Sequence, residues 1–437
     1  MLFVLRGWFR LFCMSTGPDQ TRRFSKREDA GHFRSSQPQP GSVLLAVLTL
    51  IQFCHTLDFV ILMPLGPQLI RTFQISPSQF GYLVSAYSTA AAISGILVAL
   101  FIDRLERKTA ILALFGVFTL ATLFCGISTG YHSLLLARIL AGASGGVLQA
   151  LIFAVVGDVI PEHRRGRATG MILSAFSIAS IIGIPIGLLL ANRFDWQAPF
   201  LMLVGVCAVG GGLGYLVLPN VHNPRARAQG ISAEFLRILS VFRATPHLWA
   251  LALNISLTFG MFSYLPYLNP HLVRNVGVSE SQISLVYLVG GLFTIAGARL
   301  TGWLADRHGK LEVFQIAAVL ALIPILLVAN LPQAPLPIVL VSTTFFMVMM
   351  NARFIPATAL ITSSARAEVR GAFLSVNSSL QHVTMSAAAI FGGWVIEAGG
   401  VPSGEIPMSR LGWVALAFGL AVIPIARRLK KALAESS

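Results

Sequence analysis

Charge is scarce in this chain: 11% of its 437 residues are Asp, Glu, Lys or Arg, against roughly 25% in a soluble domain. Acids are the scarcer sign, 17 against 32 Lys and Arg. A soluble domain of this size needs mixed charge over its whole surface, so that class is excluded. Cysteine is nearly absent: Cys13, Cys54, Cys125 and Cys207 show no CxxC spacing, and free thiols acting as small hydrophobes are expected, with neither disulfides nor a metal site. There is no GxxxxGKS/T, no HExxH and no nucleophile elbow. ATP-driven pumping and familiar hydrolase chemistry are therefore unsupported, and no enzyme activity or cofactor is expected. The first fourteen residues are apolar but interrupted by Arg6 and Arg10 and followed by no small-residue cleavage site, which argues against a signal peptide.

What the chain has is apolar length: 55% of it is hydrophobic and its mean hydropathy is +0.76. Roughly 20 apolar residues cross a bilayer as a helix, and about twelve such runs are present, over 43–70, 80–102, 109–128, 132–160, 168–191, 197–218, 247–268, 280–304, 311–330, 335–361, 372–396 and 409–426. An all-α membrane protein with twelve transmembrane helices is predicted.

The net charge of +15 raises nucleic-acid binding as a possibility, but the cations sit in alternate loops. Basic clusters fall in the N-terminal tail, at 103–108, 161–167, 306–310 and 365–370, in the polar segment near 220–246, and at Arg427, Arg428, Lys430 and Lys431. The opposite loops hold only Arg71, Arg193, Arg274 and Arg410. This is the positive-inside pattern, with both termini cytosolic, and it accounts for the charge without nucleic acid. The expected organisation is a disordered cytosolic tail at 1–42, a six-helix bundle at 43–219, a cytosolic linker at 220–246 with an amphipathic helix near 233–242, a second six-helix bundle at 247–426 and a tail at 427–437.

Inside the first run stands Asp58. An intramembrane carboxylate is costly, about 2.5 to 3.5 kcal/mol at a helix centre on insertion scales, and normally faces a cavity and has a function. Arg138 lies inside the fourth run. Asp58 is about 15 residues from the inner end of its run and Arg138 about six from the outer end of an oppositely directed one; at about 1.5 Å per residue both fall in the outer part of a roughly 30 Å core. They are candidates to pair, although an arginine so near a helix end also has the option of snorkelling. His55, three positions before Asp58, is either a proton relay or a histidine hydrogen-bonded between helices.

The two halves echo each other. Asp103-Arg104 after the second run matches Asp306-Arg307 after the eighth, and Glu162 to Gly166 matches Glu368-Val-Arg370-Gly371, at an offset of a little over 200 residues. Such repeats mark two related bundles with a site at their interface. The second copy, Gly302-Trp-Leu-Ala-Asp306-Arg307-His-Gly309-Lys310, resembles the signature loop of the major facilitator superfamily in full. The first copy, with Asp103, Arg104 and Arg107, has Ala99 and Glu106 where glycines are usual. Leu134-x-x-x-Arg138-x-x-Ala141-Gly142-x-Ser144-Gly145 resembles the fourth-helix motif of proton-coupled members, whose arginine is linked to proton transfer. Gly183-x-Pro185-x-Gly187 is similar to a relaxed form of the superfamily's antiporter motif, and kinking with close packing explains it equally well.

The resemblance implies two pseudo-symmetric six-helix bundles around a central cavity, alternating access and, by likeness to the bacterial drug and sugar efflux antiporters, proton-coupled efflux of a small hydrophobic or amphipathic molecule. Proton symport or facilitated uptake is the alternative, and a non-transporting membrane sensor a more distant one. Protons, the small-molecule substrate and the lipid bilayer are the expected partners of a monomer in a bacterial inner membrane. The candidate proton-coupling residues are Asp58, Arg138 and His55. Phe262, Tyr264, Phe346, Asn351, Arg353 and Gln381 are candidates for the substrate cavity, Arg353 for an anionic group in particular, with interhelical packing as the ordinary alternative for the aromatics.

Overall fold

The protein's structure, a computed structural model, describes residues 40–99, 106–220, 239–365, 369–398 and 406–435. The tail expected at 1–42 up to residue 39, Asp103, Arg104, most of the linker with the start of its expected helix, and Glu368 lie outside the described residues.

Helices α1 (Pro40–Ile61) and α2 (Gly66–Phe73) make up the first span. The sequence predicts one continuous helix here, but residues 62–65 form a turn. Pro64 supplies no backbone donor, and Pro67, at the start of α2, is tolerated where a helix begins. Spans two to four are α3 (Pro77–Ala99), α4 (Arg107–Ile127) and α5 (Tyr131–Val159). The fifth is α6 (Glu162–Ile178), a π-helical turn at Ala179–Gly183 and α7 (Ile184–Arg193); the sixth is α8 (Ala198–Val217). The wide turn stands just before Pro185, whose ring cannot continue the regular hydrogen-bond ladder.

The seventh span repeats the break of the first: α9 (Thr245–Phe262) stops at Ser263 and Tyr264, and α10 (Leu265–Arg274) restarts with Pro266 in its first turn. It runs past the predicted end at 268. Then follow α11 (Glu280–His308), α12 (Lys310–Ala329), α13 (Leu336–Ser363), α14 (Arg370–Glu397) and α15 (Met408–Glu435). The segment at 427–435, expected as a tail, is the end of α15. Its lysines, arginines and alanines are good helix formers, and Lys430 reaches Glu312 on α12 at 2.7 Å.

Eleven helices among the described residues are apolar enough to span by hydropathy. The twelfth, α14, is long enough at 28 residues, but Asn377, Ser378, Ser379, Gln381 and His382 lower its hydropathy. Large apolar side chains such as Leu136, Leu216 and Val341 are more than two-thirds exposed, as suits helices whose outer surface is solvated by lipid.

Packing follows a two-fold pattern. In the first half, α4 packs on α5 and α8, α5 on α3, and α1 on α6 and α8. In the second, α12 packs on α13 and α15, α13 on α11, and α9 on α14 and α15. Between the halves, α3 packs on α14, α7 on α11 and α2 on α10. Adding six spans to each contact of the first half yields the matching contact of the second, and the two long cross-contacts exchange with one another. This is the arrangement of two pseudo-symmetric six-helix bundles.

Candidate functional site

Asp58 and Arg138 are both fully buried. Arg138 Nη1 donates to Asp58 Oδ2 at 2.6 Å and to the Asp58 carbonyl oxygen at 3.1 Å. The hydroxyl of Thr122 on α4 donates to the Phe118 carbonyl at 3.0 Å and lies 3.4 Å from Asp58 Oδ1. The Tyr87 ring on α3 covers the guanidinium, 4.8 Å from its carbon. Four spans thus enclose one ion pair, and Arg138 does not snorkel.

The glycines of the fourth-helix motif make this enclosure possible. A Cβ on Gly142 would overlap the Tyr87 carbonyl group, one on Gly145 the Tyr87 hydroxyl, and one on Gly146 would stand 2.7 Å from the Ala91 Cα. Small residues at this seam let α5 and α3 approach backbone to backbone. Gly183 and Gly187, with the buried Pro185 between them, do the same for the fifth span: a Cβ on either would meet Leu57 or Ile61 of α1 at 2.7 Å. The antiporter-like segment therefore packs on the turn of α1 that holds Asp58.

His55 is buried but has no hydrogen bond to Asp58. Its electrostatic neighbour is His382 of α14, in the other bundle. The same face of α14 meets α3, since Ser386 hydrogen-bonds to Thr89 at 2.5 Å. Residues three apart on a helix diverge by about 60°, enough for Asp58 to point into its own bundle while His55 points across.

Of the cavity candidates, Phe262 faces Phe59 across the bundles at 6.2 Å. Tyr264 and Phe346 pack ring to ring, tilted by 31°, at 5.4 Å, and the Tyr264 hydroxyl donates to the Ile325 carbonyl at 3.3 Å; this is packing inside the second bundle. Asn351 donates to Met347 of its own helix at 3.1 Å. Gln381 is half-buried beside His382, and Arg353 is 1% exposed.

In the first signature loop, Arg107 Nε donates to Asp158 Oδ2 at 2.9 Å, tying α4 to the end of α5. Sequence reasoning passed over Asp158, although it is the acid that closes the fourth span. In the second copy, Gly302 is half-buried and Asp306 and Arg307 are exposed. Arg307 lies over the Trp303 ring at 5.3 Å. Gly309 has φ +98°, the left-handed region that a glycine enters without strain, and Lys310 then opens α12.

The end of the molecule opposite the start of α1 is closed between the bundles. Arg71 and Glu280 form a two-pronged ion pair, Nη2 to Oε2 at 3.1 Å. Asn192 donates to the Glu280 carbonyl at 3.3 Å and accepts from Gln68 at 2.8 Å, while the Ser78 amide donates to Glu397 at 3.3 Å. A shallow groove of about 390 Å³ beside Arg71 and Glu280 opens at this end. Cross-bundle polar contacts of the described residues cluster toward it.

Twelve spans in two paired sets, with a buried charge pair between helices, define an all-α membrane protein of internally repeated architecture. The sequence model of the Major Facilitator Superfamily matches residues 48–273 and again 253–435, and the chain belongs to that family. It is 25% identical over 341 residues to the inner membrane transport protein YdhP of Escherichia coli (strain K12), covering 77% of this chain and 85% of that one. It is 24% identical over 373 residues to a probable sugar efflux transporter of Helicobacter acinonychis (84% and 89% covered). A chloramphenicol resistance protein of Streptomyces lividans is 26% identical over 281 residues (63% and 71% covered). Among solved structures, a D-xylose-proton symporter superposes with a TM-score of 0.72 at 15% identity, covering 90% of this chain and 97% of that one. An inward-facing bacterial homologue of the human lysosomal transporter Spinster does so with 0.65 at 18% identity (92% and 96% covered).

Proposed function

We propose that the protein is a proton-coupled efflux antiporter for a small hydrophobic or amphipathic molecule, working as a monomer in a bacterial inner membrane with both termini in the cytosol. The observation that carries this reading is the Asp58–Arg138 pair. Asp58 is the one acid in the sequence that lies well inside a span, every other Asp and Glu standing at a span end or in a connection. In that orientation the closed end, with Arg71 and Glu280, faces outside.

A carboxylate held at 2.6 Å from a guanidinium locks α1 to α5; adding a proton removes the charge that holds Arg138 and leaves it the Asp58 carbonyl and the Tyr87 ring. The proton so acts on helix packing and biases which end opens. Gly183 and Gly187 transmit the change to the fifth span, which packs on α11 of the other bundle. His55, near enough to His382 for the two rings to interact electrostatically, places a polar group at the bundle interface. Efflux-type relatives support the direction.

The test is purified protein in proteoliposomes with a pH-sensitive dye inside. Substrate addition should move protons against substrate, and Asp58→Asn should reduce that movement to the level of empty vesicles. Full coupled flux in the variant, or proton movement in the same direction as substrate, would refute the reading.

A further inference from the structure

Arg353 is the second fully buried cation of the membrane interior, and it is placed differently from Arg138. It sits in α13, 17 residues after Leu336 and ten before Ser363, so the nearer end of its helix is roughly 15 Å away. It is 1% exposed. Its Nε and Nη2 have no hydrogen-bond partner among the described residues, and neither an ion pair nor an aromatic ring meets it there. The guanidinium turns toward α15 at Gly419, where a Cβ would lie 3.8 Å from Nη1. The same Cβ would meet the Leu322 Cδ2 at 2.7 Å, so the flank beside Nη1 is apolar and offers the cation no polar group from position 419.

An arginine in a low-dielectric interior requires a counter-charge. This chain has none to offer. Each acid of the second half, from Glu280 and Asp306 to Glu397 and Glu435, stands at a helix end or in a connection, and Asp58 is already paired in the first bundle. Tilting the helices opens and closes their ends but does not draw those carboxylates to the depth of Arg353. The compensating charge must come from outside the chain.

We infer that Arg353 is a binding site for a small anionic group, supplied either by a carboxylate on the transported molecule or by a free halide. The planar fork of arginine suits a carboxylate in particular. In the first form the inference deepens the transport reading above and rests on it, since it gives the amphipathic substrate an acidic head and assigns that head to the second bundle.

Binding is tested on the full-length protein in detergent, by thermal unfolding at constant ionic strength set with sodium sulfate, titrating benzoate, its neutral counterpart benzamide, and chloride. Stabilisation by benzoate but not chloride identifies a carboxylate site; stabilisation by chloride identifies a halide site. In either case the apparent affinity should fall about tenfold or more in Arg353→Met and be kept in weakened form in Arg353→Lys. Without added benzoate or chloride, Arg353→Met should unfold at the wild-type temperature or above it, since an uncompensated charge has been removed. The inference is overturned if neither anion stabilises, if benzamide matches benzoate, if Arg353→Met responds like wild type, or if that variant unfolds earlier in sulfate alone. None of these readouts depends on proton movement, so a failed antiport assay leaves them standing, and their failure leaves Asp58-dependent coupling untouched.

Discussion

Arg138 donates through one nitrogen, Nη1, to both the carboxylate and the carbonyl of Asp58, at 2.6 and 3.1 Å. One residue of α1 is thus held by side chain and backbone together, at a depth where neither partner meets solvent. The loss of either charge should be felt as a change in the packing of spans one and four.

Removing one partner of a buried pair strands the other, at a cost of about 3 to 5 kcal/mol, whereas replacing both with apolar groups is often nearly neutral. Arg138→Met should therefore lower the unfolding temperature strongly. The double variant Asp58→Leu, Arg138→Met should recover most of the loss while remaining inactive in transport. Thermal unfolding in detergent, combined as a double-mutant cycle, checks this.

Gly142→Ala should be among the most damaging single-methyl changes in the protein, because the new Cβ meets backbone of Tyr87 and not a movable side chain. Overpacking costs about 1 to 3 kcal/mol, and the upper part of that range is expected here. Gly116→Ala, on α4 with open space around it, should be neutral or gain up to about 1 kcal/mol from helix propensity. Yield of monodisperse protein after size-exclusion chromatography separates the two.

At the closed end, Glu280→Gln should favour the open form of that end. Arg71 is well exposed, and an exposed pair contributes about 0.2 to 1 kcal/mol, so a shift of up to about fivefold in the ratio of forms is expected. Spin labels at positions 72 and 281 should show the longer separation gaining population, and high salt should produce a similar shift in the wild type.

Arg107 is 2% exposed and bonded to Asp158. Arg107→Ala loses both the charge and a buried stem; Asp158→Asn should cost less, about 1 kcal/mol. Combining the two should add little to Arg107→Ala alone, as thermal unfolding will show.

Much of this was legible in the chain itself. Twelve apolar runs announce twelve spans, and the repeat of Asp103-Arg104 as Asp306-Arg307 announces two related halves. The breaks in the first and seventh spans were less legible, although Pro64, Pro67 and Pro266 signal them. Neither Tyr87 nor Thr122 stood out, because a tyrosine or threonine in an apolar run carries no mark of what it will face. Glu280 and Asp158 looked like ordinary residues at span ends until packing set Arg71 and Arg107 beside them.

The sequence alone determined that this chain lives in a bilayer and that Asp58, Arg138 and Arg353 stand inside its apolar runs, because hydrocarbon admits only long apolar helices and makes an interior charge conspicuous. Only the tertiary structure decided how those charges are used. Periodicity places a residue on its own helix but says nothing of which helix lies opposite. Packing brought Arg138 to Asp58, turned His55 toward His382 and left Arg353 with no acid of its own.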